Sequence, residues 1–166
     1  MSQFSTVLFD LDGTLLDSVD LIVDSYHHTF RIHHLPWHSR DEILAGMGTP
    51  LRSVFGKMTD DSALIDSWIA TYREYNLAHH DARVHAYPGV VDMVRRIAAA
   101  GRRIGLVTSK NRSGAQRGLT LIGLANEMEV IVGADDVLHP KPDPEPVERA
   151  LAALGAAADS SLFVGD

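Results

Sequence analysis

The sequence of 166 residues contains no cysteine, which excludes disulfide bonds, thiolate metal sites and cysteine nucleophiles. It also has no apolar run near the roughly 20 residues that a membrane-spanning helix requires, so we expect no membrane partner. The sequence has fewer basic than acidic residues, with 15 Lys and Arg and 22 Asp and Glu, so its formal net charge is -7. This acidic balance argues against nucleic acid as a partner. The N-terminus shows no basic flank or apolar segment typical of a signal peptide, and we expect a cytoplasmic protein.

The most informative stretch lies near the N-terminus. The apolar, partly β-branched segment Thr6–Phe9 predicts a buried strand, and the carboxylates of Asp10 and Asp12 follow where that strand ends. Asp12-Gly13 alone would also fit an ordinary turn. Two acids crowded at a strand end repel each other unless a cation lies between them or one of them binds a proton. This pattern therefore favours chemistry over a purely structural turn.

Further along the chain, predicted strands alternate with helices, which indicates βαβ units and a parallel sheet. We therefore predict an α/β protein with a Rossmann-like, three-layer core formed by residues 1–14 and 85–166. Residues 15–84 lack any strand pattern, and their length far exceeds an ordinary crossover, so we predict an all-helical cap domain inserted after the first strand. The remaining predicted strands are Ile104–Val107, Val130–Val132 and Leu162–Val164.

Polar side chains lie at or just beyond the ends of all four predicted strands. They are Asp10 and Asp12, Thr108, Lys141 and Asp166. Each could be an ordinary strand-end, loop or turn residue when taken alone. In a parallel sheet, however, the carboxyl ends of the strands face one crevice, where ligands bind.

These residue types suit the hydrolysis of a phosphoryl substrate. Asp10 can attack phosphorus, and Asp12 can protonate the leaving oxygen and then deprotonate water. Thr108 can donate a hydrogen bond to the phosphoryl group, and Lys141 can neutralise developing charge. Asp10, the Asp12 carbonyl and Asp166 offer hard oxygen ligands, so we predict Mg²⁺ as the cofactor and a small phosphorylated molecule as the substrate.

These four elements, in this order, resemble the four motifs of the haloacid dehalogenase-like hydrolases. The elements are Asp-x-Asp-Gly-Thr, a strand ending in Thr, a Lys, and a strand ending in Gly-Asp. The resemblance covers essentially the whole chain and implies a hydrolase that works through a phosphorylated Asp10. The acidic Asp12 resembles the phosphatase branch of the family, and the position of the insertion resembles the C1 type of cap.

Finer resemblance lies in Val107-Thr108-Ser109-Lys110 and in the stretch from Lys141 to Val147. Both look like the PpaX-type inorganic pyrophosphatases and the neighbouring phosphoglycolate phosphatases. The resemblance implies pyrophosphate as the substrate, with phosphoglycolate or another small phosphomonoester as the alternative. Ser109 and Lys110 are further candidates for substrate binding, and Arg52 is the candidate from the cap, although a solvated surface charge is at least as good an interpretation of Arg52.

The sequence stops at Asp166, where members of this family usually continue with another acid, a fifth strand and a helix. We therefore expect that the last strand and helix of the core are missing. Two alternatives stay open: a non-catalytic, truncated fragment that binds phosphate, and a β-phosphoglucomutase-like mutase that uses the same site. We expect a monomer or a homodimer.

Overall fold

The computed structural model describes residues 4–165, so the predicted metal ligand Asp166 lies outside the described residues. The chain divides into two compact units, Met1–Asp17 with His85–Asp166 and Ser18–Val84. The strands are β1 (Thr6–Phe9), β2 (Leu16–Asp17), β3 (His85–Ala86), β4 (Arg103–Val107), β5 (Val130–Val132) and β6 (Ser161–Val164). The helices are α1 (Val19–Ile32), α2 (Arg40–Ala45), α3 (Leu51–Phe55), α4 (Ser62–Arg83), α5 (Val90–Ala99), α6 (Arg112–Leu121) and α7 (Glu145–Leu154).

The first unit contains a parallel sheet with the strand order β5-β4-β1-β6. All four residues of β1 are buried, as expected for a parallel strand covered on both faces. Leu8, Val107 and Val132 point to the face on which α7 packs through Leu151 and Leu154. Ile104 and Leu106 of β4, whose side chains point to the opposite face, are also buried, so that face is covered as well. The predicted α/β class and parallel sheet are confirmed.

A short antiparallel ribbon links the start and the end of the insertion. β2 pairs with β3 through Leu16 with Ala86 and Asp17 with His85. The prediction that residues 15–84 contain no strand is therefore wrong, and residues 15–17 belong to the first unit instead. Two residues on each side are too few to produce an alternating pattern in the sequence, which is why the ribbon was not predicted.

The second unit consists of the four helices α1 to α4. Ser39 is the N-cap of α2 and forms a capping box with Glu42, because its hydroxyl accepts from the Glu42 amide while the Glu42 carboxylate accepts from the Ser39 amide. Ser18 occupies the N-cap of α1, where its side chain makes no capping hydrogen bond. The core of this unit is aromatic and aliphatic, and its buried members are Ile22, Val23, Tyr26, Phe30, Ile43, Phe55, Ile65, Trp68, Ile69 and Tyr72. Within residues 4–165, none of the helices has the length and apolar character needed to cross a bilayer.

Gly105 allows close packing at the centre of the sheet. A Cβ atom at this position would lie 2.7 Å from Val130 Cγ1 and 2.8 Å from Leu8 Cδ2. We expect Gly105→Ala to lower the free energy of unfolding by about 1 to 3 kcal/mol, because the core would have to shift to accept one methyl group. Urea unfolding followed by circular dichroism measures this change.

Gly46→Ala is the matched control for this substitution. Gly46 has right-handed helical backbone angles, and its added Cβ would be no closer than 3.6 Å to any neighbouring atom. We expect this variant to equal or exceed the wild type in stability, since alanine restricts the unfolded chain. A Gly105→Ala variant as stable as Gly46→Ala would contradict the close packing around Gly105.

Candidate active site

The turn after β1 is held by its own backbone. The Leu11 carbonyl accepts hydrogen bonds from the amides of Thr14, Leu15 and Leu16, at 3.2, 2.9 and 2.9 Å. The Gly13 amide donates to the Leu16 carbonyl at 2.9 Å, and Gly13 has a φ of 81°, which favours glycine. This tight loop fixes the backbone on both sides of Asp12.

Asp10 forms a short ion pair with Lys141 at this end of the sheet. Its Oδ2 lies 2.6 Å from Lys141 Nζ, with the two side chains only 13% and 19% exposed. Its Oδ1 accepts from the Leu11 amide at 2.7 Å, and its own amide donates to the Val164 carbonyl at the end of β6. Burial raises the pKa of the Asp10 carboxyl, while the nearby Lys141 ammonium opposes this shift and the charge of Asp12 adds to it.

Asp12 faces a different lysine. Lys110 Nζ lies 3.0 Å and 3.2 Å from the two carboxylate oxygens of Asp12, and both side chains are 17% exposed. The backbone of Lys110 is held on two sides, because its amide donates to Thr108 Oγ1 and its carbonyl accepts from the Ala134 amide. Lys110 is therefore placed by the loops that follow β4 and β5.

Two hydroxyl groups follow β4 directly. Thr108 is 4% exposed, and its amide extends the sheet by donating to the Val132 carbonyl at 3.0 Å. The Ser109 hydroxyl is buried and has no hydrogen-bond partner among the described residues, and the same holds for the Thr14 hydroxyl in the turn after β1. Buried hydroxyls without a partner are uncommon in proteins, and here both belong to segments that directly follow strands of the sheet.

Lys141 is surrounded by groups that the sequence did not reveal. Its Nζ lies 3.5 Å from the Val107 carbonyl at the end of β4 and 5.5 Å from the centre of the Phe163 ring on β6. The end of β6 is also close to Asp10, since a Cβ atom on Gly165 would lie 3.5 Å from Asp10 Cβ. The long-range contacts of Lys141 could not be read from spacing in the sequence.

The predicted site residues thus divide into three groups. The first unit brings together Asp10, Asp12, Thr108, Lys110 and Lys141, and Ser109 lies between Thr108 and Lys110 in the chain with its hydroxyl buried. Arg52 belongs to α3 of the second unit, where its exposed guanidinium pairs with Asp66. Its role as a substrate ligand stays a prediction, and so does the role of Asp166, which lies outside the described residues.

The charges at this site suit a divalent cation. Two carboxylates, Asp10 and Asp12, face two ammonium groups, Lys141 and Lys110, so their formal charges cancel. A phosphoryl group would add negative charge that these residues do not balance, and the burial of Asp10 increases the cost of that charge. Carboxylate oxygens are ligands that Mg²⁺ accepts. The residues present therefore fit a bound Mg²⁺.

A different group of potential ligand atoms lies in the loop before α7. His139, Asp143 and Glu145 place such atoms within 4.8 Å of one another. Glu145 Oε2 already contacts the His139 amide and ring, and Asp143 Oδ1 already accepts from the Glu145 amide. These hydrogen bonds give the three residues a structural role in the loop.

Comparison with known proteins identifies the family of this chain. A family model described as haloacid dehalogenase-like hydrolase matches residues 7–166. The pyrophosphatase PpaX of Halalkalibacterium halodurans is 41% identical over 164 residues, which are 99% of this chain and 75% of that protein. The pyrophosphatase PpaX of Anoxybacillus flavithermus is 43% identical with the same coverage.

Solved structures show the same fold. A haloacid dehalogenase-like hydrolase from Bacteroides fragilis superposes with a TM-score of 0.90 at 27% identity, covering 98% of this chain and 79% of that one. A predicted phosphatase from Clostridium acetobutylicum gives a TM-score of 0.84 at 27% identity, covering 99% and 77%. The family predicted from the motifs is confirmed, and the chain belongs to the haloacid dehalogenase-like hydrolases.

Proposed function

We propose that this protein is a Mg²⁺-dependent phosphohydrolase that forms an aspartyl-phosphate on Asp10, with pyrophosphate as its substrate. The observation that carries the proposal is the contact of 2.6 Å between Asp10 Oδ2 and Lys141 Nζ, at the strand end beside Asp12. A buried carboxylate at this position is held in place and oriented by the ammonium and the Leu11 amide. It is a suitable nucleophile for phosphorus.

In the first step, an Asp10 oxygen attacks phosphorus and the bond from phosphorus to the leaving oxygen breaks. A proton from the Asp12 carboxyl goes to that leaving oxygen. The Thr108 hydroxyl and the Lys141 ammonium interact with the phosphoryl oxygens and stabilise the charge of the transition state. Lys110 pairs with Asp12 in the structure, and we propose that substrate oxygens compete for its ammonium.

In the second step, the Asp12 carboxylate accepts a proton from a water molecule while that water attacks the phosphorus of the aspartyl-phosphate. The acyl-phosphate bond breaks, phosphate leaves, and the Asp10 carboxylate is restored. Asp12 thus serves as acid in the first half of the cycle and as base in the second. Its position beside Asp10, two residues along the same tight turn, supports both roles.

Asp10, the Asp12 carbonyl and Asp166 would hold the Mg²⁺. When bound, the cation would shield the Asp10 carboxylate from the like charge of the phosphoryl group. This need follows from the cancelled charges of the two aspartates and the two lysines.

Similarity to the PpaX proteins supports pyrophosphate as the substrate, at 41% and 43% identity over nearly the whole chain. Pyrophosphate is small and highly charged, which fits a site where two adjacent acids, Asp10 and Asp12, each pair with a lysine. A cytoplasmic location, and a monomeric or dimeric state, stay predictions.

The proposal is tested by phosphate release with Mg²⁺ and a panel of pyrophosphate, phosphoglycolate and sugar phosphates. We expect pyrophosphate to give the highest kcat/KM, and chelation by EDTA to reduce turnover to the background rate. A higher kcat/KM for phosphoglycolate would be consistent with the proposed mechanism but would contradict the proposal that pyrophosphate is the substrate. Transfer of phosphate between sugar hydroxyls without net release would instead indicate a mutase.

A further inference from the structure

The loop that carries Lys141 forms few internal backbone hydrogen bonds that could fix its conformation. Pro140, Pro142 and Pro144 lack an amide hydrogen, so alternate positions of the loop cannot donate backbone hydrogen bonds. Within the loop, one backbone bond is formed, from the Asp143 amide to the Pro140 carbonyl at 3.1 Å. The position of Lys141 therefore depends on anchors at the ends of this loop, defined as residues 138–144.

Glu145 supplies such an anchor. It is the first residue of α7, and its Oε1 accepts from the Leu138 amide at 2.9 Å. Its Oε2 accepts from the His139 amide at 2.8 Å and lies 2.9 Å from His139 Nδ1. The Glu145 carboxylate thus connects the first two residues of the loop to the start of α7, where the loop ends. Hydrogen bonds from these two amides lower the pKa of the Glu145 carboxyl.

Lys141 lies in the middle of the loop 138–144 and contacts Asp10 from there. Its Nζ lies 2.6 Å from Asp10 Oδ2, across a separation of 131 residues in sequence. Lysine has a flexible stem of four carbons, so the position of its backbone determines where the ammonium can reach. A small displacement of the loop would move the ammonium away from the nucleophile, and misplacement of a catalytic group by about 1 Å can reduce a rate roughly 100-fold.

We infer that Glu145 is a positioning residue that holds the ammonium of Lys141 against Asp10 by closing the loop 138–144. This inference rests on the proposed function, in which Lys141 acts on the phosphoryl group. The Glu145 carboxylate contacts Leu138 and His139 of this loop, so we infer that it acts on Lys141 through the loop. Substitution of Glu145 should therefore have no effect on kcat in a variant whose residue 141 lacks an ammonium group.

A double-mutant cycle tests this dependence. We expect Glu145→Ala to lower kcat with pyrophosphate and Mg²⁺ by about 10- to 100-fold, with KM changed less than about twofold. In the Lys141→Ala background, the same substitution should produce no further loss of kcat. Equal losses in both backgrounds, or an unchanged kcat in the single variant, would overturn the inference. Glu145→Gln keeps the size of the side chain and one carbonyl acceptor, and we expect an intermediate loss.

Glu148→Ala is the matched control. Glu148 is exposed and lies in the first turn of the same helix, so its removal has a similar effect on the charge at the helix N-terminus. We expect its kcat to equal that of the wild type. A loss equal to that of Glu145→Ala would assign the effect to helix charge and overturn the role of the loop contacts.

A second readout does not depend on any enzymatic activity. Acetylation of lysines by acetic anhydride, followed by peptide mass spectrometry, reports the accessibility of Lys141 relative to the exposed Lys57. We expect Glu145→Ala to increase the labelling rate of Lys141 several-fold and to leave that of Lys57 unchanged. Unchanged labelling of Lys141 would overturn the inference even if the enzyme hydrolyses pyrophosphate. Increased labelling in a protein that hydrolyses no phosphate compound would overturn the proposed function alone.

Discussion

Asp10→Asn is expected to reduce hydrolysis of pyrophosphate by at least about 1,000-fold, because an amide oxygen is a poor nucleophile toward phosphorus. The substitution preserves the size of the side chain, and the Asn carbonyl can still accept from the Leu11 amide, which donates to Asp10 Oδ1 at 2.7 Å. The fold should therefore survive. Phosphate release under saturating Mg²⁺ and trapping of the acid-stable phosphoenzyme are the measurements, and both signals should vanish in the variant.

The control for this variant is Asp17→Asn, the same substitution at an exposed aspartate of β2 in the same unit. We expect Asp17→Asn to hydrolyse pyrophosphate at the rate of the wild type. If Asp10→Asn kept more than about a tenth of the wild-type rate, the nucleophile would have to be another group or a water molecule, and the aspartyl-phosphate would be excluded.

Local sequence patterns determined much of the core. The segment Thr6–Phe9 is continuously apolar and β-branched in part, and it forms a strand buried on both faces. Gly155 ends α7 in a left-handed conformation, which glycine adopts more readily than other residues. Because parallel strands end at one edge of the sheet, the pattern of strand ends also predicted that Asp10, Thr108 and Lys141 would lie together.

The ion pairs between residues far apart in the chain could not be predicted from the sequence. Nothing in the local pattern assigns Lys141 to Asp10 and Lys110 to Asp12, since each pair is joined across about 100 residues or more. Lys141 was predicted to neutralise charge during catalysis and Lys110 to bind substrate, and the structure adds the carboxylate that each lysine contacts. The role of Glu145 depends on two backbone amides of a preceding loop, and the only hint in the sequence is an acid at the start of a helix after a proline-rich loop.

Asp12 has a different role in each step of the proposed cycle, as an acid in the first and as a base in the second. Substrates whose leaving groups differ in their need for a proton allow the two roles to be measured separately. A nitrophenolate leaves phosphorus without needing a proton, whereas an alkoxide needs one. In Asp12→Asn, we therefore expect kcat/KM for p-nitrophenyl phosphate to change less than about tenfold. For an alkyl phosphate such as phosphoglycolate, kcat/KM should fall by about 100- to 10,000-fold, the usual range for loss of a general acid.

The same variant should also accumulate the aspartyl-phosphate, because no base remains to activate water in the second step. With p-nitrophenyl phosphate, rapid mixing should show a burst of up to one nitrophenolate per enzyme, followed by slow turnover. Asp10→Asn should show no burst, and Asp17→Asn should turn over like the wild type. Equal losses of kcat/KM for both esters would contradict a proton donated by Asp12. Because Lys110 contacts both oxygens of the Asp12 carboxylate, such a result would instead assign Asp12 to holding that lysine in place.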